Sequence, residues 1–437
     1  MTPGAGRLAA ALDAVLATHD ALRARLVVDD AKPAFLEVPA VGSVTAADVL
    51  RRVEFTDEPG TPAFVDTVQR EASAANDRLD PSAGVMLQVV WFDPSADLGP
   101  DVTGRLYVVI HHLVVDGVSW RILLPDLVVA WARTDPTGGD AGTAPVELGE
   151  VGTSLRTWSH ALAGTAPTFT DAIEAWAQVV SVDDPPLGSG PLDPDRDTVA
   201  TMRRVSVDMP VDVSDAVLRE IGPAYRTGVD TALLTALAVA VRRWRLRRGV
   251  DAPGLLVELE GHGREEFAVA PTSAGARADL HRTVGWFTTT RPVRLDLTGV
   301  DVDAVVDAEQ SAPAAGAAIK AVKEDLTVVP GGHGGIGFGV LTRFGGPEAD
   351  VLRGRGEPQI AFNYLGRVSA GETETAEFGW QPATDGGELG GSMDAGMVVP
   401  AALTINALAT DTASGPVVSA SFAFAGELLD EDDVREL

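Results

Sequence analysis

The sequence predicts an α/β chain of two domains, each a β-sheet packed with helices. Three observations lead there. At 437 residues the chain exceeds the size at which a single hydrophobic core usually stops growing. Strand-like apolar runs and amphipathic helical stretches both occur on either side of the middle of the chain. Between them, "SVDDPPLGSGPLDPDRD" at 181–197 is rich in Pro, Gly, Ser and Asp and carries no periodic apolar pattern, so it reads as a linker. The predicted domains are 1–185 and 198–437, with no repeat visible between them.

Each element follows from local pattern. In "RLAAALDAVLATHDALRARL" (7–26), Leu8, Leu12, Val15, Leu16 and Leu22 recur at helical spacing. "RLYVVIHH" (105–112) reads as a strand, and "GVSWRILLPDLVVAWAR" (117–133) as a helix capped by Asp116 or Ser119. Pro125 lies too deep for a first-turn proline, so a kink or a late start is expected there. "TMRRVSVDMP" (201–210) is a strand. In "DTALLTALAVAVRRWRLRRG" (230–249), Leu233, Leu237, Val241 and Trp244 form one helical stripe, with Gly249 suited to the position just past the end. "GLLVELEG" (254–261) is the next strand. "LLDEDDVREL" (428–437) is a short helix capped by Asp430, stopping without a terminating residue.

Composition excludes several functions. Hydrophobic residues make up 45% and charged residues 22%, ordinary for a soluble globular protein. No apolar run approaches the roughly 18 residues of a membrane span. The start, "MTPGAGRLAAALDAVL", lacks a basic head and small-residue cleavage site, so a cytoplasmic location is expected. With no cysteine there is no disulfide or thiolate chemistry. A formal charge of -29 argues against a nucleic-acid partner, since phosphate binding needs a Lys/Arg surplus.

Two phrases carry chemistry. "YVVIHHLVVDGVSW" (107–120) places two of the seven histidines side by side. If the strand continues through them, alternation sends His111 and His112 to opposite faces, one structural and one free to act. Asp116 and Gly117 follow as a tight turn, with Gly117 expected to supply a conformation other residues resist. His-His-x-x-x-Asp lacks zinc-ligand spacing. Two satisfied core histidines, or general acid–base work near neutral pH, both remain open. In "LEGHGREE" (259–266), Glu258 and Glu260 share a strand face, and the glycines around Glu260 and His262 let a substrate approach. Read alone, it is equally a charged strand exit. Neither phrase has the Gly-x-Ser-x-Gly elbow of a nucleophilic triad.

Together these phrases resemble the epimerization domains of nonribosomal peptide synthetases, a branch of the condensation-domain superfamily. "HHLVVDGVSWRILLPDL" is similar to the superfamily's His-His-x-x-x-Asp-Gly core with the branch's Ser-Trp-Arg extension. "LEGHGREE", "TVGWFTTTRPV" (283–293), "PGGHGGIGFGVLTR" (330–343) and "FNYLGR" (362–367) resemble the branch's later motifs in order, and "THDALRARL" (18–26) its early helix. Peptide-bond-forming relatives share the His-His core but lack the "EGHGRE" and "FNYLG" phrases. Three features depart from the family: a Pro-Ile-Gln-x-Trp-Phe opening is absent, the closing helix is short, and Pro125 stands where an acid is usual. The chain is therefore expected to be cut short at both ends and to belong to a larger synthetase.

The resemblance implies a V-shaped pair of chloramphenicol-acetyltransferase-like subdomains with a tunnel between them, His112 on the first and Glu260 on the second. It implies inversion at Cα of an L-aminoacyl or peptidyl thioester on the phosphopantetheine arm of a carrier domain. His112 and Glu260 then move the protons, Asn363 and Tyr364 help hold the enolate oxygen, and His111, Asp116 and Gly117 are structural. Asp116 is expected to accept from an arginine or a turn N–H. No cofactor or metal of its own is implied, the "GHGGIGFG" run being a weak nucleotide signal without a strand-then-helix context. The implied partners are a carrier domain and neighbouring adenylation and condensation domains, with no nucleic acid or membrane. Condensation of two carrier-bound groups, or a non-catalytic docking module, stay open as alternatives.

Overall fold

Leu87, Val89, Val90 and Phe92 are almost inaccessible to solvent, an apolar run of the kind a strand needs when both its faces are covered. The computed structural model describes every residue except 1–2, 30–31, 135–145, 182–183, 272–276, 308–310, 355–356, 369–379 and 388–392. The chain forms two compact units: Met1–Ala161 with Val269–Phe287 and Gly371–Ser392, and Leu162–Ala268 with Thr288–Ala370 and Met393–Leu437.

In the first unit, strands β1 (Arg25–Asp29) and β2 (Lys32–Glu37) form an antiparallel hairpin. Strand β3 (Leu50–Phe55) runs parallel to β4 (Leu87–Pro94), which pairs antiparallel with β5 (Arg105–Ile110). On one face of β4, Leu87 and Val89 join Leu12 and Leu16 of helix Pro3–Thr18 and Leu123 and Leu127 of helix Gly117–Arg133. On the other, Val90 and Phe92 pack with Phe64 and Val68 of helix Pro62–Asp77. Helices on both faces bury each large apolar side chain here at roughly 1.5–3 kcal/mol apiece.

The first helix stops at Thr18, short of the expected 26. Arg23, buried in a 3-10 turn, donates to the carbonyls of Leu16 and Ala17 and so caps the helix end. His19, also buried, is turned instead toward Asp126 (Nε2 to Oδ2, 2.8 Å). The helix Gly117–Arg133 has Asp116 as its N-cap and runs on through Pro125 without a late start.

The second unit is built on a six-stranded sheet: β6 (Met202–Asp208), β7 (Gly254–Gly261), β8 (Thr289–Asp296), β9 (Ile360–Val368), β10 (Leu403–Thr412) and β11 (Gly415–Ala425), in the order β6-β11-β10-β9-β7-β8. Strands β7 and β10 flank β9 in parallel; the remaining pairs are antiparallel. Leu233, Leu237, Val241 and Trp244, the predicted stripe of helix Val229–Arg247, are buried against Val257, Leu295, Phe362, Leu403 and Ile405. That helix ends as its glycine suggests: Gly249 has φ +75° and donates to Leu246 O, and Val250 donates to Arg245 O.

The units exchange segments rather than dividing at one break, and residues 162–197 fall in the second. The 181–197 stretch is tied down there. Arg245, itself buried, donates to Asp184 Oδ1 and Pro185 O at 2.7 Å each, and Leu187 N donates to Gln359 Oε1 at 2.8 Å. The closing helix Glu431–Glu436 has Asp430 at its N-cap, buries Val434, and is fastened by Arg248 to Asp433 and Glu436. Among the described residues, no helix is long and apolar enough to cross a membrane.

Candidate active site

Both histidines lie beyond the end of β5, which stops at Ile110, so strand alternation does not separate them; a 3-10 turn at His112–Val114 does. His111 N donates to Met86 O (2.8 Å), and its Nδ1 accepts from Leu113 N (3.2 Å). Its ring is half-buried, and desolvation, with the neighbouring His112 second, pushes its pKa down. His112 is exposed, and its ring lies 4.9 Å from that of Trp286, tilted by 53°.

Asp116 shows how the turn is held. Almost fully buried, it accepts from Ser119 N (2.7 Å) and Ser119 Oγ (2.8 Å) through one oxygen and from Phe287 N (3.1 Å) through the other. Ser119 Oγ in turn contacts Gly285 O and N at 3.0 and 3.2 Å. A Cβ at Gly285 would stand 3.0 Å from Leu155 and Phe287 side-chain carbons, so a larger residue there would have to displace both side chains. Ten residues on, Asp126 accepts from Arg282 Nη2 (2.8 Å) as well as from His19. Burial works against its charge, but these donors hold its carboxyl below the usual carboxylate range. Two buried carboxylates on one helix thus anchor the segment that lays Trp286 on His112. Gly117 corrects an expectation: it is the first helical residue, it is absent from the positive-φ residues, and a Cβ there meets nothing within 4 Å. The extended Asp116 (φ -132°, ψ -179°) makes the turn instead.

The second unit brings Glu260 and Asn363 together. Strands β7 and β9 pair with Leu259 opposite Phe362, so the next residues are neighbours, and Asn363 Nδ2 donates to Glu260 Oε2 at 2.7 Å. Glu260, at the strand's end, is exposed. Glu258, two residues deeper on the same face, is half-buried; desolvation raises its pKa, a hydrogen bond from Thr290 opposes this, and Glu357 adds to it. Tyr364 is not with them. It lies on the opposite face, packed against the core beside Phe362, because alternation along β9 separates it from Asn363. The predicted glycine run forms a 3-10 turn before helix Ile336–Phe344. Gly335 has φ +86°, and a Cβ there would overlap Arg291 Cδ. A Cβ at Gly334 would likewise stand 2.5 Å from Glu265 Oε1, in the turn that follows Glu260.

Sequence reasoning gave no role to Trp286 and only a capping role to Ser119. The phrase "TVGWFTTTRPV" held the signal, a lone exposed Trp beside a glycine, but not its partner. Among the described residues, no three His, Asp or Glu side chains cluster as a metal would require.

A family model described as "Condensation domain" matches residues 5–384. One of the linear gramicidin synthase proteins of Brevibacillus parabrevis is 31% identical over 384 residues, 87% of this chain but 4% of that protein. The chondramide synthase of Chondromyces crocatus is 34% identical over 381 residues, 85% of this chain and 8% of that protein. The chain therefore spans a small fraction of these relatives. Among solved structures, the epimerization domain from the third module of tyrocidine synthetase B superposes with a TM-score of 0.76 at 23% identity, covering 99% of this chain and 85% of that one.

Proposed function

Because the chain belongs to the condensation-domain family, we propose that it inverts Cα of an aminoacyl or peptidyl thioester carried on the phosphopantetheine arm of a carrier domain. The observation that carries this reading is the 2.7 Å hydrogen bond between Asn363 and Glu260. It joins the "EGHGRE" and "FNYLG" phrases, which peptide-bond-forming relatives lack.

The chemistry sets the requirements. A thioester sulfur donates weakly to its carbonyl, so the α-proton is more acidic than that of an ester. It still needs a positioned base and donors aimed at the developing enolate oxygen. Inversion takes a proton from one face of Cα and returns one to the other, and this reading assigns the two transfers to His112 and Glu260. The amide of Asn363 has a second N–H beyond the one given to Glu260, and that hydrogen is offered to the enolate oxygen. Tyr364 has no part in it. Trp286 fixes the plane of the His112 imidazole, and Asp116 holds Trp286 in place. The reaction draws on no cofactor of the chain's own. Its partners are the carrier domain and the adenylation and condensation domains of a peptide-synthesis line.

The test loads a carrier domain with an L-aminoacyl group in deuterated water, then hydrolyses it and separates the enantiomers. The expected result is a D/L mixture with deuterium at Cα. Unlabelled L-acid alone sinks the reading, and a new amide with a second loaded carrier replaces it with condensation.

A further inference from the structure

The register of the second unit's sheet aligns polar side chains across all six strands. Ser206 pairs with Ser421, Ser421 with Asn406, and Asn406 with Asn363. Glu260 sits beside Asn363 and opposite Thr290. Cross-strand partners share a face, so these residues form one row on the side away from helix Val229–Arg247. Along β10 the alternation is plain: Leu403, Ile405, Ala407 and Ala409 are buried in the core, and Thr404, Asn406 and Leu408 between them are only partly covered.

Asn406 is the member without an explanation. It is half-buried, and among the described residues its side chain has no hydrogen-bond partner. Its amide atoms are not among the buried side-chain atoms that lack a partner, so both its donor and its acceptor stay open to solvent and within reach of a ligand. Its neighbours on one side of the row, Thr404, Ala361 and Ala423, are short, so a chain could lie over them along the row, with Leu408 and Leu365 walling the other side. Strands are about 4.8 Å apart, which puts Asn406 roughly 10 Å from Glu260, one strand beyond Asn363.

We propose that Asn406 binds a secondary amide of the thioester substrate, pairing its own N–H and C=O with those of an extended chain laid along the Asn363–Asn406 row. This rests on the reading that Glu260 and Asn363 handle the reacting carbon. Starting there, the chain meets amides on both sides: the peptide bond of a peptidyl group, and, two methylenes past the sulfur, the first amide of the phosphopantetheine arm. Both offer the same donor–acceptor pair.

The experiment measures affinity with two probes, so its outcome does not depend on whether inversion occurs. Pantetheine carries only the arm's amides; an N-acetyl-aminoacyl propyl thioester carries only the acyl-side amide. Each is titrated into the intact chain and into Asn406→Leu and Asn406→Asp, following the Asn side-chain N–H resonances, with melting curves as a control for folding. Asn406→Leu should weaken one probe about tenfold, the value of roughly one hydrogen-bonded pair, and leave the other within about twofold; the affected probe identifies the amide held. Asn406→Asp, which keeps an acceptor and loses the donor, should fall between. Unchanged affinity for both probes, equal loss for both, or no binding of either by the intact chain overturns the proposal. A chain that binds as expected yet never yields D-product overturns the epimerization reading alone.

Discussion

The His112 turn and the Glu260 strand end each present one exposed titratable group, but they are held by opposite means. His112 depends on a buried polar network: Asp116 alone satisfies three donors from two separate stretches of chain. Glu260 depends on strand register, with the hydrogen bond from Asn363 added at the surface. Buried networks are costly when one member is removed, because the others stay buried without partners. Backbone ladders are indifferent to most side-chain changes. The two regions should therefore fail differently under substitution.

The sharpest break in that comparison is Asp116→Ala. It removes the carboxylate that joins Ser119 N to Phe287 N, while Ser119 Oγ keeps its contacts with Gly285, and is expected to cost about 3 kcal/mol by denaturant unfolding, with inversion lost as well. A cost under about 1 kcal/mol would mean that packing, not Asp116, holds the Trp286 segment. Glu260→Gln should do the reverse: inversion falls about 100-fold, while stability stays within about 0.5 kcal/mol, since glutamine still accepts from Asn363. Inversion at near the intact rate removes Glu260 from the proton transfers.

The adjacent histidines sharpen the contrast inside one turn. His111→Ala removes the acceptor for Leu113 N and should cost about 1 kcal/mol, whereas His112→Ala should abolish inversion and leave the melting temperature unchanged. The folded-state pKa of His111 lies below its ordinary value, so the unfolded chain binds the proton more readily. Stability is then lost as pH falls through about 6.5, and His111→Ala should flatten that part of the curve. The reverse pattern in the two alanine variants would exchange their roles.

The smallest effect is expected at Glu258, whose folded-state pKa is raised, chiefly by burial. Its penalty is absent at low pH and grows as pH rises past the ordinary glutamate range near about 4.3. Glu258→Gln should raise the melting temperature by about 2 °C at neutral pH and by nothing near a pH of about 3.5, below that range. Equal melting at both values would show that Thr290 fully compensates the buried charge.

Much of the fold was legible. The helix Val229–Arg247, its apolar stripe and its Gly249 terminus follow from periodicity and from one residue's tolerance of positive φ. The core of β7 follows from the run Leu255–Leu256–Val257. The helix end at Thr18 was not legible, because Arg23 caps it by folding back, and a periodic pattern holds no sign of that. Nor was the exchange of segments between units: 181–197 has a linker's composition, yet Arg245 and Gln359 grip its backbone.

By itself the sequence determined which groups are available: an imidazole pair after an apolar run, a carboxylate among glycines, an asparagine in an aromatic strand phrase. Local chemistry and spacing suffice for that, since they act over a few residues. Only the tertiary structure decided which groups meet. Asp116 reaches Phe287 across 171 positions, and Asn363 reaches Glu260 across 103. Contacts at such separation depend on strand register and on which segment a helix seizes, and a one-residue slip in register would send Asn363 to the face Tyr364 now occupies.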